Sequence, residues 1–155
     1  MLRKTIKLLL LSSVALLALE PNDTLSQEVK ERLSLEENKI YVIDFFASWC
    51  KSCRKELPLV SKLYEQNKIN LIGVNVDSNS DDGKALIDEL SVKFPIVYDE
   101  DKKLVESFNP LGFPAIYYVK DGKVVDVIFG AVSEIDKKIL EDIEEIKWED
   151  YSSLQ

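Results

Sequence analysis

The feature that most constrains this chain is one stretch, Ile40-Tyr41-Val42-Ile43-Asp44-Phe45-Phe46-Ala47-Ser48-Trp49-Cys50-Lys51-Ser52-Cys53-Arg54-Lys55-Glu56-Leu57-Pro58. It opens as a β-branched and aromatic run, the pattern of a strand buried on both faces. The run turns through Ala47-Ser48-Trp49 into a segment that reads as a helix beginning at Cys50. The only two cysteines of the chain stand on its first turn, two residues apart. A helix start carries unpaired N–H groups and partial positive charge, so a Cys50 thiolate is stabilised by its position. Cysteine reactivity follows the thiolate fraction, and Cys-x-x-Cys at a helix start lowers the thiol pKa. Such a pair closes into a disulfide and reopens with little backbone movement, which is the behaviour of a redox site.

Two other uses of the pair compete with this one. Zinc takes four ligands in structural sites. The chain has no histidine and no third cysteine, so an all-protein zinc site would need two carboxylates or a second subunit. An inert structural disulfide is the other alternative, but a bridge closing so short a loop restricts the unfolded chain little.

Residues 45–58 resemble the active-site segment of the thioredoxin superfamily. The Trp49-Cys50-Lys51-Ser52-Cys53 run followed by Glu56-Leu57-Pro58 resembles its TlpA/ResA branch of extracytoplasmic thiol–disulfide oxidoreductases. Similarity continues through Ile72-Gly73-Val74-Asn75-Val76-Asp77, Phe94-Pro95-Ile96-Val97-Tyr98-Asp99, Gly112-Phe113-Pro114-Ala115 and Asp121-Gly122-Lys123-Val124-Val125. The resemblance implies an α/β, thioredoxin-like fold: a central mixed sheet flanked by helices, with one inserted helical segment. It also implies disulfide exchange with protein partners and no bound cofactor. The direction implied is reducing, for example keeping apocytochrome c haem-site thiols reduced, which requires an upstream membrane electron donor. The alternatives are a disulfide oxidant or isomerase for secreted proteins, or a non-catalytic thioredoxin-fold binding module such as a metal-delivery factor. The lack of histidine and the single Met1 argue against copper or zinc handling. A peroxidase is disfavoured because no cysteine sits in the Thr-x-x-Cys context of peroxiredoxins.

Residue by residue, Cys50 is the expected nucleophile and Cys53, one turn deeper, the resolving thiol. Asp44 lies six residues before Cys50, where thioredoxins carry a buried aspartate. Between Ile43 and Phe45 an acid is costly unless partnered or functional, and burial would raise its pKa into the range of a base near neutral pH. The competing expectation is a solvated acid at a strand edge. Glu56 follows Cys53 by three residues, on a neighbouring position of one helix face, and matches the active-site glutamate of ResA-like proteins. Its competing expectation is a surface glutamate paired with a basic neighbour. The branch does not usually carry an acid at the position of Asp44, so two acids near one thiol pair leave the proton carrier unassigned between them.

Lys51 and Ser52 differ from the Gly-Pro, Gly-His and Pro-His dipeptides of thioredoxins, isomerases and strong oxidants. Lys51, Arg54 and Lys55 make either a positive patch that lowers the Cys50 pKa or a solvated helix face. Pro114 resembles the cis-proline that faces the redox pair, leaving the backbone of Phe113 to pair with an extended substrate segment. Trp49 is expected to shield the motif and contact the partner.

The first nineteen residues read separately from the domain expected over residues 20–155. Arg3, Lys4 and Lys7 precede a run that is apolar from Leu8 to Leu19 apart from Ser12 and Ser13. The run fits a signal-peptide h-region, although Leu16 stands where a cleavage site prefers a small residue, so an N-terminal membrane anchor remains an alternative. Three of the 20 basic residues and none of the 28 acidic ones lie there, leaving 17 against 28 and a net charge of −11 for the domain. Such a domain should not bind nucleic acid or anionic lipid. One even cysteine pair fits a periplasmic or otherwise extracytoplasmic site, in solution or anchored to the inner membrane.

The remaining pattern predicts a helix over 24–33 capped by Asn22-Asp23-Thr24, strands near 40–46, 69–76 and 94–98, and helices over 50–66 and 82–90, the latter with Ala85, Leu86 and Leu90 inward. A short helical turn through Leu104, Val105 and Phe108 follows. Residues 115–119 and 123–129 then form a hairpin through Asp121-Gly122, and a last helix covers 133–146. Trp148 is expected to pack.

Overall fold

The computed structural model describes residues 17–153. Residues 1–16 of the expected leader lie outside them. Ten elements follow in order: α1 (Gln27–Arg32), β1 (Ile40–Phe46), α2 (Lys51–Glu65), β2 (Asn70–Asn75), α3 (Ser80–Glu89), β3 (Ile96–Tyr98), α4 (Lys103–Phe108), β4 (Ala115–Lys120), β5 (Lys123–Phe129) and α5 (Ile135–Ser153). The five strands form one sheet in the order β3-β2-β1-β4-β5. β1, β2 and β3 run parallel, and β4 and β5 are antiparallel. This is the mixed α/β sheet expected, and β1, the most apolar strand, takes its centre, where both faces are covered. The inserted segment is α3 with β3, which supplies the edge strand next to β2.

Alternation along β1 divides its side chains between the two faces. Phe45 joins an aromatic cluster with Phe108, Tyr117 and Phe129, whose successive ring centroids lie 4.8 to 5.7 Å apart, and Ile43, opposite Tyr117, shares that face. Val42, Asp44 and Phe46 face the other way, under α2 and α5. On that side Tyr118, opposite Val42, donates its hydroxyl to Asp142 of α5 at 2.8 Å. The Asp121-Gly122 turn has positive φ at both positions (50° and 74°), the twist that a two-residue hairpin of this kind requires.

Four sequence expectations are corrected. Residues 22–24 do not cap a helix; Ser26 caps α1 through a bond from the Val29 N–H. Residues 22–25 instead run along β5, with Asn22 N–H on the Val124 carbonyl and Val124 N–H on the Asp23 carbonyl. In α3, Gly83 and Leu86 are buried while Ala85 is exposed, because the helix starts at Ser80 behind an Asn79 cap. The last helix continues to Ser153, and Trp148 is 70% exposed, its ring tilted 6.3 Å from that of Tyr151. No helix among the described residues is long and apolar enough to cross a membrane.

Gly83 is required by contact. A Cβ there would lie 2.2 Å from Asn75 Oδ1 and 2.4 Å from its Cγ, and Asn75 is fully buried. Gly83→Ala should therefore cost about 1–3 kcal/mol by overpacking despite alanine's better helix propensity. A urea unfolding midpoint equal to wild type would overturn this.

Candidate active site

β1 ends at Phe46, and Ala47-Ser48-Trp49 carries the chain into α2. The site therefore forms at the carboxyl end of the central strand, where open α/β sheets place their sites. Cys50 is the N-cap of α2, with extended backbone (φ −83°, ψ 103°), and its Sγ accepts the Cys53 N–H at 3.2 Å. The two cysteines are joined as a disulfide with Cα atoms 5.3 Å apart. Cys50 is 7% exposed and Cys53 1%, so an incoming partner reaches the sulfur of Cys50 first.

Register brings a second segment to the same edge. Phe45 pairs with Ala115 at the start of antiparallel β4, which sets the preceding residues beside the end of β1. The Phe113–Pro114 peptide there is cis. Trp49, 66% exposed, meets Phe113 edge-on at 5.8 Å, and Leu111, two residues before Phe113, is exposed. Of the basic residues, Lys51 and Lys55 are exposed, whereas Arg54 is paired with Glu89 of α3.

Asp44 is not a solvated edge acid: it is 1% exposed and neither carboxylate oxygen has a hydrogen-bond partner. Glu56 is not a surface partner of a lysine. It is 5% exposed with Oε1 unpartnered. Burial raises the Asp44 carboxyl to about 7. Burial, and then the neighbouring Asp44 charge, raise Glu56 to about 9. The charge on Asp44 thus opposes a second charge on Glu56, and the two acids lose their protons in succession. Glu56 also lines a groove of about 160 Å³ with Ser52, Lys55, Leu59, Val132 and Ile135, so it stands between the buried Asp44 and solvent.

The structure thus gathers Cys50, Cys53, Glu56 and Asp44 around the start of α2, with Trp49, Phe113 and Pro114 on the rim. One polar cluster beside the site has no counterpart among the expected site residues. Asp77, at the end of β2, accepts the Ser48 N–H and the Ser48 hydroxyl, each at 2.9 Å, and the Asn75 amide at 2.7 Å. Ser48 and Asp77 are 29 residues apart, so no local pattern announces the contact.

A family model described as the AhpC/TSA family matches residues 17–127. Among curated proteins, the thiol-disulfide oxidoreductase ResA of Bacillus thuringiensis (strain Al Hakam) is 28% identical over 116 residues, covering 71% of this chain and 67% of that one. Among solved structures, StoA from Bacillus subtilis superposes with a TM-score of 0.61 at 22% identity, over 68% of this chain and 83% of that one. The exposed lipoprotein thioredoxin Etrx1 of Streptococcus pneumoniae strain TIGR4 gives 0.64 at 24%, over 73% and 89%. At these identities the structural matches speak for the fold alone.

Proposed function

This chain belongs to the AhpC/TSA family and is a thiol–disulfide oxidoreductase, and from that premise we propose that it acts as a reductant of protein disulfides outside the cytoplasm. The observation that carries the direction is the buried, unpartnered acid pair, Asp44 and Glu56, at the helix that bears both cysteines. An ionised carboxyl beside the thiols disfavours a second anion. It therefore weakens the dithiol's thiolate form, which favours the disulfide and lowers the potential of the pair. No histidine between the cysteines works against this.

The reaction balances as two exchanges. The Cys50 thiolate attacks one sulfur of the partner's disulfide, forming a Cys50–partner bond and releasing a partner thiolate that takes up a proton. Cys53 then gives its proton to the carboxylate pair and attacks the Cys50 sulfur. The second partner thiol leaves, and the chain holds the Cys50–Cys53 disulfide. Two electrons have passed to the partner, so a membrane electron donor must restore the dithiol. Trp49 and the Phe113 backbone beside Pro114 would hold the partner's extended segment. Apocytochrome c with an oxidised haem-site pair is the substrate we favour. Residues 1–19 would export the domain and be removed, or stay as its anchor.

Equilibration of the protein with glutathione buffers tests the direction. A Cys50–Cys53 potential near or below about −270 mV is expected, and one approaching about −120 mV would make the chain an oxidant.

A further inference from the structure

The turn between β1 and α2 is held from outside itself. Cys50 donates its N–H to the Ala47 carbonyl at 3.1 Å, closing residues 47–50. Within that turn, Ser48 is gripped at both its backbone N–H and its hydroxyl by the two oxygens of Asp77. Asp77 is 3% exposed, and its third bond comes from the Asn75 amide. Asn75 is in turn packed against Gly83 of α3, where no Cβ fits. A continuous series of contacts, α3 to Asn75 to Asp77 to Ser48, thus ends one residue before Trp49 and two before Cys50.

We propose that Asp77 is a positioning residue for the redox pair: by clamping Ser48 it sets the turn that seats Cys50 at the N-cap of α2 and stands Trp49 over Phe113. The proposal rests on the thiol–disulfide reading of that pair. The reason is geometric. The helix end stabilises a thiolate only within its first turn, and the Cys50 Sγ sits there because its backbone is extended just before Lys51. Releasing Ser48 frees the backbone that fixes that angle and leaves a Ser48 N–H without its acceptor. Asp77 makes no contact with the reacting sulfurs, so its effect passes through Ser48.

The hydrogen bonds also predict which substitution is harmless. In Asp77→Asn, the amide oxygen can occupy the Oδ2 site and accept from Ser48 N–H and Asn75. The new NH₂ at the Oδ1 site can then donate to the Ser48 hydroxyl, which accepts as readily as it donates. Asp77→Ala has no such replacement.

The test measures the Cys50 pKa, from the pH dependence of alkylation of the reduced protein, and the exchange rate with a small aromatic disulfide at pH 7. Asp77→Ala should raise the Cys50 pKa by about one unit and slow exchange about threefold to fourfold, as the fall in thiolate fraction outweighs the greater nucleophilicity of a more basic thiolate. Asp77→Asn should stay within about twofold of wild type. Ser48→Ala, which keeps the backbone clamp and loses the hydroxyl bond, should fall between them, and it carries the test if Asp77→Ala does not fold. Three results overturn the proposal: wild-type pKa and rate in Asp77→Ala or, failing that variant, in Ser48→Ala; an Asp77→Asn loss as large as that of Asp77→Ala; or a change confined to the melting temperature. Absence of exchange in the wild-type protein would instead sink the reading on which the proposal rests.

Discussion

Offered a protein disulfide, a reduced Cys53→Ser chain should stop at a covalent Cys50–partner adduct, and a Cys50→Ser chain should form none. The asymmetry follows from the burial of the two sulfurs. Cys50 is the one a partner meets, at a helix N-cap, and Cys53 lies beneath it with 1% exposure. A serine hydroxyl does not ionise near neutral pH, so Cys50→Ser removes the nucleophile and should lower turnover by on the order of 10³-fold or more. In Cys53→Ser the first exchange proceeds, but nothing resolves the mixed disulfide. Non-reducing electrophoresis and intact mass would read the adduct directly. Stability should change little in either variant, because the bridge closes a very short loop. An adduct in Cys50→Ser and none in Cys53→Ser would reverse the assignment of the two thiols.

Much of this arrangement was legible in the chain, and the exceptions share a cause. β1 and β5 have the predicted bounds, because an unbroken apolar run and an Asp-Gly turn are local signals. Cys50 and Cys53 needed only their spacing, and the oddity of Asp44 amid apolar neighbours pointed to burial. Glu56 could not be decided locally. Its helix position is half-turned, and it is the β5–α5 loop, through Val132, with Ile135 beyond it, that closes over it. Residues 22–24 carry good capping chemistry, yet β5 recruits them through backbone bonds that no capping rule foresees. Ser48 and Asp77 meet because β1 and β2 are adjacent and parallel, a tertiary fact. Trp148 was expected to pack because large aromatics usually do. The helix that carries it instead turns it outward, 70% exposed, and it is Asp150, two residues on, that reaches back to Lys120 of β4 as an ion pair at 2.5 Å.

Asp44→Val should stabilise the protein at pH 8 and slow the resolving step, and these opposite effects together identify the acid pair as functional. Both carboxyls hold their protons more tightly folded than unfolded, from 3.8 to about 7 for Asp44 and from 4.5 to about 9 for Glu56. Between the unfolded and folded values the native chain therefore binds more protons, and stability falls as pH rises. The stabilising contribution of protonation is complete below about pH 4. It is lost through about pH 7 as Asp44 ionises and through about pH 9 as the pair loses its second proton. Replacing Asp44 by an apolar strand residue removes its own share of that penalty, on the order of 3 kcal/mol at pH 8 and close to nothing at pH 4. On the proposed mechanism the same change removes a base for the Cys53 proton, which should slow resolution of the mixed disulfide by about 10²-fold. Asp44→Val should also leave Glu56 without its like-charged neighbour and draw the Glu56 titration down, whereas Glu56→Gln, which removes a group still protonated where Asp44 ionises, should leave the Asp44 titration near 7. Because the two acids share their protons, the double variant should lose less than the product of the single losses. Urea midpoints at pH 4 and pH 8, with single-turnover rates from pH 5 to pH 9, measure both halves. Stabilisation without slowing would leave Asp44 as a burial cost with no chemical return, whereas slowing without stabilisation would mean that water or a conformational change already relieves the buried charge.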